Sequence, residues 1–397
     1  MVVRLLRDLN ERDWQQELQQ LDPRITVSDV SGFLEPGTLF FKVGEFPFRF
    51  LSTFRKILIR HCGAVLVQHF PSKTSGQFIM TLPAPQQRAF LEQLNRSSDP
   101  VLQEVGATCA RILDNLQRDR WQFQAQGKSI DIDRPIIMGV LNVTPDSFSD
   151  GGKFLNPEAA YRRAMEMREQ GAEWIDIGGE STRPGSEPVS LEEEWQRIVP
   201  VLRRLSKQKD IILSVDTYKS EIARRALEHG AHVVNDISGL TFDPQMRAVV
   251  ATFNVPVILM HIKGTPRDMQ KNPTYTHLME EVYGFLKQQV EYAHSGGVAQ
   301  VVVDPGIGFG KRWEDNYEIL RRLAEFRGLG CPILIGPSRK SFIGRLLDLP
   351  PEQRVTGTMA AVAAAYQRGA RIFRVHDVEE TRQTLQILEA ISRFKAM

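Results

Sequence analysis

From residue 136 to the C-terminus the sequence repeats one unit eight times: a short apolar run closed by a polar residue, then a longer stretch with helical spacing. The runs fall at 136–142, 173–178, 211–216, 233–236, 257–261, 301–304, 333–336 and 371–376. They are rich in β-branched residues and do not alternate in polarity, as expected of strands buried on both faces. Helical segments follow them at 156–171, 191–206, 219–229, 244–253, 276–296, 314–327, 353–369 and 378–395. Eight strand-plus-helix units in about 260 residues predict a (β/α)8 barrel. A doubly wound open sheet is the alternative. The regular count and the polar residue ending nearly every run favour the barrel, whose chemistry sits at the C-terminal ends of its strands.

Residues 1–130 lack this rhythm and predict a smaller α/β domain, with the barrel domain at 131–397. Strands are expected at 2–6, 38–43, 64–69 and 77–82, and helices at 51–61, 84–94 and 101–116. The polar segment 118–133 reads as the boundary. His61 and His69 flank a strand with no carboxylate or cysteine at ligand spacing, and the first domain shows no site.

A hydrophobic content of 42%, a charged content of 25% and a net charge of +2 are those of a globular chain without a global pull toward nucleic acid or membranes. Any anion site must therefore be local. Cys62, Cys109 and Cys331 are scattered without metal or redox spacing, which predicts a reduced, cytoplasmic protein. No apolar run reaches membrane-spanning length, and the start of the chain is too polar for a secretory signal.

The strand ends would pool a distinctive set of side chains. Asp216, Asn235 and Asp304 offer hydrogen bonds to a planar ring bearing several N–H groups, and leaving them buried without partners would be costly. Met260 and Phe309 supply apolar faces for that ring. Arg374 and His376 end the last strand beside Asn142 of the first and make a basic corner suited to phosphate. Ser341 follows a turn where a helix begins, and Lys340 brings a point charge. Asp176 and Asp146 read as loop-holding residues, and His261 reads equally as a structural or a ligand histidine. The glycine-rich 305–311 loop lacks the glycine spacing and the following acid of a dinucleotide site.

Read together, these segments resemble dihydropteroate synthase of the folate pathway over residues 136–395. The resemblance rests on Gly-Val-Leu-Asn-Val-Thr-Pro-Asp-Ser-Phe-Ser-Asp-Gly-Gly (139–152), Asp-Ile-Gly-Gly-Glu-Ser-Thr-Arg-Pro-Gly (176–185), Ser-Val-Asp-Thr-Tyr-Lys (214–219) and Asn-Asp-Ile-Ser-Gly (235–239). It continues through Leu-Met-His-Ile-Lys-Gly-Thr-Pro-Arg-Asp-Met-Gln (259–270), Asp-Pro-Gly-Ile-Gly-Phe-Gly-Lys (304–311), Ser-Arg-Lys-Ser-Phe-Ile-Gly (338–344) and Arg-Val-His-Asp-Val (374–378). It implies that p-aminobenzoate displaces pyrophosphate from a hydroxymethyl-dihydropterin pyrophosphate.

By the same resemblance Asp216, Asn235, Asp304, Lys340 and Met260 hold the pterin. Asn142, Arg374 and His376 hold the pyrophosphate with Mg2+, Asn142 being the metal ligand. Thr182, Arg183, Pro184, Phe309, Lys340 and Ser341 shape the aminobenzoate pocket. Asp216, Asp304, Lys340 and Arg374 are the expected catalytic set, and a homodimer is implied. Two other readings share part of the pattern: a pterin-dependent methyltransferase and a non-catalytic pterin-binding protein. The first lacks a reason for the phosphate corner, and the second would have lost a phosphate or aminobenzoate residue.

Overall fold

The polar segment read as the domain boundary folds as a hairpin. In the computed structural model, which describes residues 1–7, 9–21, 38–50, 54, 56–57, 65–69, 75–144 and 156–393, the segment holds strands β5 (Trp121–Ala125) and β6 (Lys128–Ile132), paired antiparallel. Phe123, Ala125, Ile130 and Ile132 are buried and their neighbours exposed, the period of a half-buried strand. Gln126 and Gly127 both take positive φ (+52° and +78°), which gives the two-residue turn the twist that a hairpin needs. Lys128 donates to the Ile211 carbonyl at 2.8 Å, and the Gln124 N–H is bonded to the Gln300 side chain. Residues 211 and 300 lead into barrel strands, so the hairpin is fastened to the end of the barrel opposite its mouth.

The barrel itself is closed and parallel, with its eight strands in chain order. They are β7 (Ile136–Asn142), β8 (Trp174–Gly178), β9 (Ile212–Asp216), β10 (Val233–Asp236), β11 (Val257–Met260), β12 (Val301–Asp304), β13 (Ile333–Ile335) and β14 (Ala370–Val375). Pairing of β14 with β7, Arg374 opposite Met138, closes the ring. Register then levels the functional ends: Asn142 lies opposite Gly178, Gly178 opposite Asp216, Asp216 opposite Asn235, and Met260 opposite Asp304. Asp304 is separated from Asn235 by the strand carrying Met260, so the three polar ends are not on consecutive strands.

The helices that wrap the barrel start and stop by ordinary capping. Asn156 accepts from the N–H groups of Glu158 and Ala159 (3.1 Å each) to start the helix Pro157–Gln170, and Gly171 ends it in the left-handed region at φ +111°. Ser190 accepts from the Glu193 N–H to start Leu191–Leu205, which buries Ile198, Val201, Leu202 and Leu205. No described helix is long and apolar enough to cross a membrane.

The chain divides into two compact units. The first is 1–118 together with 324–330; the second is 119–323 together with 331–397. The hairpin therefore groups with the barrel. The first unit carries a four-stranded antiparallel sheet of β1 (Val2–Leu6), β2 (Leu39–Pro47), β4 (Ser75–Leu82) and β3 (Val65–His69), in that order. Among the described residues the helices α1 (Glu11–Leu21), α2 (Gln87–Asn95) and α3 (Pro100–Gln117) accompany it, around Phe41, Phe46, Phe54, Phe78 and Phe90. A buried ionic network runs through this unit. Arg4 joins Glu17 at 2.7 Å and Glu325 at 2.6 Å, and Lys42 joins Glu17 at 3.0 Å. The expected helix at 51–61 falls largely outside the described residues, as do His61 and the side chain of His69.

Candidate functional site

At the barrel mouth the strand ends meet in one buried electrostatic network. Arg374 donates from Nε to Asp176 at 2.6 Å and from Nη2 to Asp216 at 2.7 Å, and Asn235 donates to the same Asp176 oxygen at 2.9 Å. Asp176 was expected to hold a loop. It is instead fully buried at the centre of this group. The second oxygens of both Asp176 and Asp216 have no hydrogen-bond partner among the described residues. Buried carboxylate oxygens left this way are costly unless a ligand supplies donors.

Burial pushes the Asp216 carboxyl up to about 7; the Arg374 charge opposes this and the Asp176 charge adds to it. Burial works against the Arg374 guanidinium charge, but Asp176 and Asp216 outweigh it and hold that group above its ordinary range. Two acids thus share one cation, and Asp216 exchanges its proton near neutral pH.

Asp304 closes the opposite side. Its carboxylate accepts from the Gly306 N–H at 2.7 Å, and burial raises its pKa against the pull of the Lys340 charge. Gly306 is irreplaceable there: at φ +72°, a Cβ would stand 1.9 Å from the His261 carbonyl oxygen. Lys340 donates to the Ile307 carbonyl and stands 4.6 Å from the centre of the Phe309 ring. Burial brings its ammonium down to about 8, against the Asp304 charge. Gly308 makes room for it, since a Cβ there would lie 2.9 Å from the Lys340 Cδ.

Met260 and Phe309 meet as expected, in an apolar cluster with Ile237, Ile262, Met269 and Tyr218. His261 proves structural: it is buried, and Lys311 Nζ lies 3.0 Å from its Nδ1. Burial, with the Lys311 charge second, keeps this imidazole neutral.

The expected basic corner is only half basic. Burial and the charges of Arg374, Arg339 and Arg183 push His376 down to about 4, so it is a neutral imidazole at pH 7. Its Nδ1 lies 3.0 Å from Ser338 Oγ, and its backbone N–H donates to the same oxygen at 3.1 Å. Asn142 is half-buried at the end of β7, and its Oδ1 is 3.7 Å from where a Cβ on Gly178 would stand, beside Asp216.

The remaining expected residues lie further out. Arg183 and Pro184 are exposed and Thr182 is half-buried on the 178–190 loop. The Arg183 charge still reaches His376. Ser341 is exposed as the first residue of the short helix Ser341–Leu347. Among the described residues neither Thr182 nor Ser341 hydrogen-bonds the acid pair. Asp146 and the rest of 145–155 lie outside the described residues.

The profile of the family described as "Pterin binding enzyme" matches residues 138–376. Dihydropteroate synthase of Synechocystis sp. is 50% identical over 263 residues, 66% of this chain and 91% of that protein. The Escherichia coli enzyme of that name is 44% identical over 268 residues, 67% of this chain and 95% of the other. Among solved structures, the Xanthomonas albilineans dihydropteroate synthase with 4-aminobenzoic acid superposes with a TM-score of 0.65 at 43% identity, over 69% of this chain and 99% of that one. The sequence of the barrel and its closed fold thus agree with one set of relatives, and the chain belongs to the pterin binding enzyme family, with the dihydropteroate synthases.

Proposed function

We propose that the chain condenses 6-hydroxymethyl-7,8-dihydropterin pyrophosphate with p-aminobenzoate, giving 7,8-dihydropteroate and pyrophosphate. The observation that carries this reading is the pair of buried oxygens on Asp176 and Asp216 without partners. A pterin ring edge offers the amino and ring N–H donors that such oxygens need. Asn235, Asp304 and Lys340 complete the polar ring around it, and Met260 lies against its face.

Arg374 is fixed by the two acids, which leaves its Nη1 outside that network and available to the diphosphate. Neutral His376, steadied by Ser338, adds an N–H donor rather than a charge. Among the described residues no three His, Cys, Asp or Glu side chains are grouped to hold a metal ion. A magnesium ion needs only one or two protein oxygens when diphosphate and water supply the rest, and Asn142 Oδ1 is such an oxygen. When bound, the ion would neutralise charge on the leaving diphosphate.

As the bond from the methylene carbon to the diphosphate oxygen breaks, positive charge develops on the pterin methylene. The negative charge of the Asp176–Asp216 pair and of Asp304 favours that cation. The arylamine is a competent nucleophile without a strong base, so placement by Thr182, Arg183, Pro184, Phe309, Lys340 and Ser341 matters most.

A homodimer is part of the same reading. Leu346, Leu347, Ile387 and Ile391 are exposed on the late helices, a set of apolar side chains that a second copy would cover. Light scattering on the purified protein tests it. The function itself is tested by pyrophosphate release from dihydropterin pyrophosphate and Mg2+. Release that requires p-aminobenzoate and matches dihydropteroate formed supports the assignment; release without product refutes it.

A further inference from the structure

One buried cluster beside the mouth has no part in the contacts proposed for either substrate. Glu180 begins the exposed part of the 178–190 loop, and its carboxylate gathers three donors. These are the Tyr218 hydroxyl at 2.6 Å, the Lys219 ammonium at 2.5 Å and the Val189 N–H at 3.1 Å. Lys219 also donates to the Val189 carbonyl at 2.8 Å and to Glu194 at 2.6 Å. The two ends of the loop are thus clamped to each other and to the helix Leu191–Leu205. Arg197 of that helix donates to the Gly179 carbonyl at 2.8 Å, and a Cβ on Gly179 would lie 2.9 Å from the Glu194 carbonyl oxygen.

These ions are poorly hydrated: Glu180 is 8% exposed and Glu194 1%. Such ion clusters are weak stabilisers, because desolvation offsets their attraction, whereas they hold geometry well. The geometry held is that of residues 181–188. Ser186 Oγ donates to the Ser181 carbonyl, and the Gly185 N–H reaches the Pro266 carbonyl at 2.9 Å. Tyr218 links this clamp to the pterin side, because its ring packs on the Ile237, Met260, Ile262 and Met269 cluster while its hydroxyl holds Glu180.

We propose that Tyr218 and Lys219 are positioning residues for the aminobenzoate loop: through Glu180 and Val189 they place Thr182, Arg183 and Pro184 against a pterin seated on the Met260 cluster. The inference rests on the function assigned above. Loss of the clamp lets water reach the methylene carbon after the diphosphate bond breaks. Its oxygen then bonds to that carbon and sheds a proton, giving the hydroxymethyl pterin in place of dihydropteroate.

The test uses the full-length protein with Tyr218→Phe, Lys219→Met and Lys219→Arg. Y218F keeps the ring packed and removes only the hydroxyl. The KM for p-aminobenzoate should rise about ten-fold in Y218F and further in K219M, as expected for losing hydrogen bonds to a buried carboxylate. Affinity for dihydropterin pyrophosphate should stay within about two-fold, and pyrophosphate should be released in excess of dihydropteroate. K219R should recover most of the KM. An unchanged aminobenzoate KM in folded Y218F overturns the proposal, and so does an equal loss of affinity for both substrates. Should K219M fail to fold, Y218F and the charge-neutral pair E180Q/K219M decide. Wild-type protein that binds pterin without making dihydropteroate would refute the functional reading, whereas normal wild-type turnover with an unmoved Y218F refutes only the clamp.

Discussion

Replacing Arg374 with methionine strips the cation that, among the described residues, is hydrogen-bonded to both Asp176 and Asp216. Both acids are buried, at 0% and 7% exposure. Breaking a buried ion pair on one side costs about 3–5 kcal/mol, because the remaining charge is left uncompensated. The protein can relieve part of this by taking up a proton, since Arg374 is the group that opposes the rise of the Asp216 pKa.

The sign of the pH effect follows from Asp216. Its folded pKa, already about 7, climbs further in R374M, while the unfolded carboxyl stays near its ordinary value of about 3.9. Between those values the folded state binds more protons, so stability falls as pH rises, by about 1.4 kcal/mol per pH unit for a full proton. Urea unfolding of R374M at pH 6 and pH 8 should show the larger deficit at pH 8, and turnover should be mostly lost at both. Adding Asp176→Asn removes one of the stranded charges and should recover stability without recovering turnover. A deficit below about 1 kcal/mol, or one equal at the two pH values, would refute the account of two acids sharing one cation.

Lys340→Ala should fold normally and lose most turnover; in the wild type kcat/KM should fall as pH rises through about 8, where Lys340 loses its proton, and circular dichroism with a pH profile checks both. Gly306→Ala should destabilise by roughly 3 kcal/mol or more, combining a left-handed φ with a backbone clash, and should weaken pterin binding because Asp304 loses its N–H donor; denaturation and pterin titration read these out. His376 has a folded pKa of about 4 against 6.5. Its contribution is therefore present above about pH 6.5 and lost as pH falls through about 4, amounting to about 3 kcal/mol. His376→Gln should flatten the acid limb of the stability curve between those values, as unfolding at stepped pH would show.

The barrel was legible because each strand is a continuous apolar run and each run ends at one level, so Asn142, Asp216, Asn235 and Asp304 announce themselves by position. Asp176 did not, because it ends no run and stands within one. Its importance lies in hydrogen bonds from Asn235, 59 residues later, and Arg374, 198 residues later, and no local pattern carries these. The neutrality of His376 escaped for a related reason: it comes from burial in the folded barrel and then from the charges of arginines on three separate segments of the chain. The hairpin at 121–132 has the alternation of a strand pair, but its exposed face is so polar that the whole stretch resembles a linker. In α1, Trp14, Leu18 and Leu21 carry a helical period that the buried acids Asp13 and Glu17 obscure.

Residues 324–330 belong to the first unit, yet they are encoded after most of the barrel. During synthesis the ribosome delivers residues 1–118 first and reaches Glu325, the partner of Arg4, roughly 10–40 s later at usual elongation rates. Throughout that interval Arg4 has Glu17 beside it but not Glu325. The N-terminal unit therefore completes its ionic core only once nearly the whole polypeptide exists. A gene cut between codons 118 and 119 would not release two finished modules: one product would lack its last internal segment, and the other would carry that segment as a stray insertion.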